Sequence, residues 1–133
     1  MRVGKKIGVI DSQDIIIGNP AYDLVSLIDD VRIKNSNKLK RKIYNFYLKR
    51  NIKINTKDSN KFLEDFNILS IQRSLKIIGI FSRLWKRDGK TKYLKFIPYT
   101  WQILEMRMKS KNFQALRKIL NKNISKKTRK KYT

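Results

Sequence analysis

The stretch DSNKFLEDFNILSIQRSLKIIGIFSRLWKRDG, residues 58–89, decides the fold class. Its apolar residues Phe62, Phe66, Leu69, Ile71, Leu75, Ile78, Phe81, Leu84 and Trp85 recur at spacings near three and four. That is the repeat of an α-helix and not of a strand. Asp58 or Ser59 can cap its start, and Asp88-Gly89 supplies a turn to end it. Its apolar positions spread almost all the way round, which predicts a buried helix through the centre of the domain.

Working outward, residues 51–56 read as a connector. Before it, Ser36 can cap a helix carrying Leu39, Ile43, Phe46 and Tyr47. Earlier still, Gly18-Asn19-Pro20 is a turn signal, and Pro20 favours a helix start. Tyr22, Leu24, Val25, Leu27, Ile28 and Val31 then predict a helix over 21–31. The β-branched run Lys6-Ile7-Gly8-Val9-Ile10-Asp11 predicts a buried strand that delivers Asp11 at its C-terminal end. Residues 1–6 offer only half of a hairpin for it, and a lone strand needs a partner for its edges. On the other side of the long helix, Pro98 opens a helix with Trp101, Ile103, Leu104 and Met108, and 113–120 forms a last short one. Both Trp85 and Trp101 are expected in the core. The reading is mainly α, with a short N-terminal strand or hairpin.

A chain of 133 residues fits one domain. It contains no cysteine and no histidine, which removes disulfides, thiol nucleophiles, thiolate metal sites and the usual base near neutral pH. Chemistry must then rest on carboxylates, Lys, Tyr, Ser or a hard cation held by oxygen. No apolar run approaches the roughly 18 residues of a membrane span, so a soluble cytoplasmic protein with no membrane partner is expected. The formal charge of +23 has two readings. It can attract polyanions, which keeps a basic nucleic-acid-binding protein as the alternative function, or it can reflect a composition rich in Lys, Ile and Asn. Lys122, Lys126, Lys127, Arg129, Lys130 and Lys131 are dense enough to predict a disordered basic tail over 121–133, following a single folded unit over 1–120.

Gly8-Val9-Ile10-Asp11-Ser12-Gln13-Asp14, followed by Gly18-Asn19-Pro20-Ala21-Tyr22-Asp23-Leu24, resembles the aminoglycoside phosphotransferase family, whose fold is similar to that of protein kinases. The resemblance implies that 1–120 is the C-terminal helical lobe of such a fold. It implies that Asp11 is the Mg²⁺-binding aspartate, with Asp14 a second candidate for the cation. A hard cation that bridges nucleotide phosphates takes carboxylate oxygen. Asp23 matches the helix aspartate that supports the catalytic loop by accepting backbone N–H bonds. From the residues alone, Asp11 can equally cap a turn at a strand end, and Asp23 can be a helix-start carboxylate favoured by the dipole.

A second run is narrower: Gln72-Arg73-Ser74-Leu75-Lys76-Ile77-Ile78-Gly79-Ile80-Phe81-Ser82-Arg83-Leu84, then Arg87-Asp88-Gly89-Lys90 and Tyr93-Leu94. It resembles a bacterial branch of sugar kinases that phosphorylate the cell-wall amino sugars N-acetylmuramate and N-acetylglucosamine at the anomeric position. ATP, Mg²⁺ and a sugar substrate are the cofactors and partners this implies for the complete protein. Arg73, Lys76, Arg83 and Arg87 fall near one helix face, where they could meet an anion or form internal or solvated pairs.

Phosphoryl transfer in such folds also needs a phosphate loop, a strand lysine with its helix glutamate, and a catalytic loop H-x-D-x-x-x-x-N. None of these stands among the ten residues before Asp11, and Ser12 takes the place of the usual aromatic residue. No catalytic residue is therefore assigned, and the chain is expected to act as a fragment or beside a separate N-terminal half. The expected outcome is that the purified chain alone phosphorylates no sugar above background, and ATP-dependent transfer to either amino sugar would contradict it.

Overall fold

The computed structural model describes residues 17–51 and 58–131, together with the backbone of 2–3 and 6–7. Strands β1 (Arg2–Val3) and β2 (Lys6–Ile7) pair antiparallel, Arg2 opposite Ile7 and Val3 opposite Lys6. The strand expected over 6–11 thus has its hairpin partner, while 8–11 lie outside the described residues. The rest is helical: α1 (Ala21–Ile28), α2 (Asn37–Arg50), α3 (Ser59–Asp88), α4 (Ile97–Arg107), α5 (Gln114–Asn123) and the single turn α6 (Lys126–Arg129). Short 3₁₀ turns at Thr91–Phe96 and Lys111–Phe113 lead into α4 and α5. The chain is mainly α, as expected.

Local chemistry sets the boundaries. The Ser36 hydroxyl accepts from the Leu39 N–H at 3.2 Å and starts α2. Pro98 sits in the first turn of α4, where its missing N–H costs nothing. At the end of α3, Gly89 adopts φ +62°, its N–H reaches the Trp85 carbonyl, and the Lys90 N–H reaches the Leu84 carbonyl. α1 is shorter than the expected 21–31. It stops at Ile28 because Asp29 leaves helical geometry, and its side chain is engaged elsewhere in the fold.

Thirty residues make α3 about 45 Å long, and two cores hang on it. Near its N-terminal end, Phe62 and Phe66 pack on Ala21, Leu24, Val25 and Ile28 of α1. Ile43, Tyr44, Tyr47 and Leu48 of α2 close this first core. Tyr44 meets Phe66 edge-on at 5.3 Å, and Tyr47 stacks on Phe62 at 5.7 Å. Further along, Ile71, Leu75, Ile78 and Phe81 turn to the 3₁₀ turn and α4, where Leu94, Ile97, Trp101, Leu104 and Met108 are buried. Leu116, Leu120 and Ile124 back this second core.

Two expectations need correcting. α3 is not buried all round: Leu63, Ile68 and Trp85 are exposed, and its buried residues are Phe62, Phe66, Ser70, Ile71 and Ser74. The apolar pattern looked continuous because the packed face rotates along the helix, from the α1–α2 side to the α4 side. Trp85 is 45% exposed beyond the second core, whereas Trp101 is in it. In α2, Leu39 and Phe46 likewise face solvent, since 40, 43, 44, 47 and 48 form the inward stripe.

The stretch read as a loose tail is described as far as Lys131. Ser125 caps α6, and Arg129 is buried with its guanidinium 4.7 Å from the centre of the Trp101 ring. Arg129 also donates to the Leu120 and Ile124 carbonyls and to Glu105 Oε1 at 2.7 Å.

Gly89→Ala should destabilise the chain by about 1 kcal/mol through backbone strain alone, since no atom lies within 4 Å of the added methyl. Thermal unfolding of the variant reads this, and an unchanged midpoint would show that the αL cap is dispensable.

Candidate functional site

The Gly-Asn-Pro turn and the first turn of α1 are fixed by side chains from three directions. Asn19 Oδ1 accepts from the Ala21 N–H at 2.9 Å, and its backbone carbonyl accepts from the Tyr22 N–H at 3.0 Å. The Asn19 side chain thus satisfies the first N–H of α1, with Pro20 at the position just before the helix. Asn19 Nδ2 donates to Asp65 Oδ2 on α3 at 3.0 Å. From α2, the Tyr47 hydroxyl donates to the Pro20 carbonyl at 3.3 Å, and Asn51 Nδ2 donates to that hydroxyl at 3.1 Å.

Asp23 stands in the first turn of α1 with its side chain exposed, beside the buried Leu24. Among the described residues none bonds its carboxylate. Asp11 and Asp14 lie outside the described residues. Among the described residues, no three acidic side chains gather closely enough to hold a metal ion.

The expected basic face of α3 does not act as a unit. Arg73 Nε donates to Ser26 Oγ on α1 at 3.2 Å, while Lys76 and Arg83 are exposed. Arg87 pairs with its neighbour Asp88 at 2.6 Å. No described helix is long and apolar enough to cross a membrane.

Sequence reading missed the most connected polar group, Asp29, which is 3% exposed at the C-terminal end of α1. Lys40 Nζ of α2 donates to Oδ1 at 2.9 Å, and Ser70 Oγ of α3 donates to Oδ2 at 2.7 Å. Arg107 of α4 spans both oxygens, Nε to Oδ2 at 2.9 Å and a terminal nitrogen to Oδ1 at 3.2 Å. The same guanidinium lies over the Phe66 ring at 4.7 Å, and the Lys40 ammonium is 5.6 Å from the Tyr99 ring. Burial pushes the Asp29 carboxyl up, but the bonds and charge of Arg107, with the bonds of Ser70 and Lys40, more than offset it. Its pKa ends below the ordinary 3.8. Burial raises the nearby Tyr44 phenol, and the charge of Arg107 pulls it partly back. Nothing in the spacing of one aspartate and two cations among 33 could have announced this group.

About seven-tenths of the chain aligns with curated proteins. It is 34% identical over 101 residues, 76% of the chain, to the N-acetylmuramate/N-acetylglucosamine kinase of Caulobacter vibrioides. The matches are to amino-sugar kinases. Proteins of the same name from Neisseria meningitidis (37% identical over 68% of the chain) and Pseudomonas aeruginosa (34% over 74%) align likewise. The chain spans 27%, 28% and 30% of the lengths of these three relatives. No family model matches the chain, and no solved structure matches it significantly. A likeness to amino-sugar kinases does not favour the nucleic-acid-binding alternative.

Asp29→Asn leaves the buried Lys40 and the largely buried Arg107 without a counter-charge and should cost about 3 kcal/mol. A folded-state pKa below the unfolded one means that Asp29 stabilises the fold above the unfolded value, and that this is lost as pH falls through the folded one. Denaturant unfolding from pH 7 down to 2 should show a steep acid loss in the parent chain and a flatter one in the variant. Parallel curves would contradict the role given to Asp29.

Proposed function

We propose that the chain forms part of the helical lobe of a sugar kinase with a protein-kinase-like fold, and that the complete protein phosphorylates an amino sugar at its anomeric hydroxyl with ATP. The observation that carries this reading is the alignment of about seven-tenths of the chain with N-acetylmuramate/N-acetylglucosamine kinases from three bacterial genera. The mainly helical fold is consistent with it. The likeness to aminoglycoside phosphotransferases rests on the Gly8–Leu24 motif and belongs to the same proposal. Cytoplasmic action, where ATP is available, follows from it.

In this reading Asp11 holds Mg²⁺, with Asp14 as its companion. Their carboxylate oxygens are the donors a hard cation requires. When bound, Mg²⁺ neutralises charge on the nucleotide phosphates. Asp23 positions the catalytic loop by accepting its backbone N–H groups, and its exposed carboxylate, bonded by no described residue, suits that role at a braced turn. The brace comes from Asn19, Asp65 and Tyr47, so it depends on α2 and α3 as well as α1. The nucleotide grip and catalytic loop come from polypeptide outside these 133 residues, as a longer chain or a separate N-terminal half.

The test is a chimera in which this chain replaces the aligned segment of the Caulobacter vibrioides kinase. It should phosphorylate N-acetylglucosamine or N-acetylmuramate, and Asp11→Asn should lower kcat by about a hundredfold or more. Asp23→Asn should also lower kcat. A folded chimera without transferase activity, or one indifferent to Asp11→Asn, would sink the proposal.

A further inference from the structure

Asp29 is one carboxylate bonded by two cations, the buried Lys40 and the largely buried Arg107, so the group carries one positive charge that no other described carboxylate cancels. The acids on the surrounding elements are committed elsewhere or face solvent. Asp30 pairs with Arg32, Glu105 with Arg129, Asp65 bonds Asn19 and Glu64 bonds Asn112. Asp23 is exposed at the opposite end of α1, and α2 contains no acidic residue. An unmatched charge held away from water is costly unless something answers it.

A cavity of about 250 Å³ lies against this group, and Lys40 and Arg107 themselves line it. Both have donors to spare. Lys40 Nζ makes one hydrogen bond to a described residue, and the second terminal nitrogen of Arg107 makes none. The exposed side chains of Asn37 and Arg41 reach the cavity from the solvent side. Its remaining wall is apolar: Ile28, Leu63, Phe66 and Met106, with the Tyr44 ring. A pocket that is apolar on one side and carries unanswered cationic donors on the other selects a ligand of matching polarity.

We propose that this cavity binds a small organic monoanion, a carboxylate on an aromatic or branched apolar body. The carboxylate takes the spare donors of Lys40, Arg107 and Arg41, and supplies the missing negative charge. The apolar body replaces water against Leu63, Phe66 and Met106. Such a ligand contacts α1, α2, α3 and α4 at once, and therefore stabilises the arrangement that holds the Gly-Asn-Pro turn. The site is at the C-terminal end of α1, away from Asp23, and does not depend on the kinase reading.

Isothermal titration calorimetry of the full chain with benzoate, and with its uncharged isostere benzamide, tests this. Benzoate should bind once per chain, and benzamide at least about tenfold more weakly. Leu63→Trp fills the cavity from a position that is 43% exposed. It should weaken benzoate binding about tenfold or more while leaving the far-ultraviolet circular dichroism unchanged. Arg41→Gln, at an exposed position, should weaken benzoate and not benzamide, and serves if the tryptophan variant does not fold. Inorganic phosphate, which lacks an apolar body, should not displace benzoate at equal concentration. No heat of binding with benzoate, equal affinity for benzamide, several benzoates per chain, displacement by phosphate, or full affinity in the folded variants would each overturn the proposal.

Discussion

The hydrogen bonds that converge on Asp29 tie together elements that hydrophobic packing alone leaves separable. α1 and α2 pack on the first part of α3, and α4 packs on the next part, so the two apolar cores share α3 and little else. Asp29 closes that gap: Ser70 reaches it from the middle of α3, Lys40 from α2 and Arg107 from α4. A hydrophobic seam fixes which faces meet but tolerates sliding, whereas a buried, fully bonded carboxylate has one geometry. The Arg107 guanidinium over Phe66 also places this polar group directly on the first core.

That arrangement explains how far the sequence could be read. The helices at Ser36, Pro98 and residues 58–89 were legible because their signals are local: a hydroxyl before a helix, a proline in a first turn, a glycine able to take φ +62° after the last one. The apolar repeat located α3 but not its environment. A helix that changes partners halfway shows the same apolar positions as one buried all round, and Trp85 was misplaced for that reason. The Asp29 group was not legible at all. Its members are separated by 11, 41 and 78 positions, and two of them are drawn from a surplus of identical charges.

The candidate site divides along the same line. Asp23 and the Gly-Asn-Pro turn were found through a motif, and the structure adds what no motif records, the Asp65 and Tyr47 contacts that brace the turn. Asp11 and Asp14 lie outside the described residues, so the part proposed for them rests on the motif resemblance alone. Five of the 33 Lys and Arg residues have structural work deep in this fold. Lys40, Arg73, Arg107, Arg117 and Arg129 all bond within it. Part of the +23 charge is therefore internal scaffolding and not a surface offered to polyanions.

The most direct measurement is a crystal structure of the Caulobacter chimera with ATP and Mg²⁺ bound. The account predicts an Asp11 carboxylate oxygen at about 2.0–2.1 Å from the cation. It also predicts Asp29 bonded to Ser70 and Arg107 at one end of α1 and an intact Gly-Asn-Pro turn at the other. A cation held only by other carboxylates, or a lobe in which α1 and α4 no longer meet at Asp29, would contradict it.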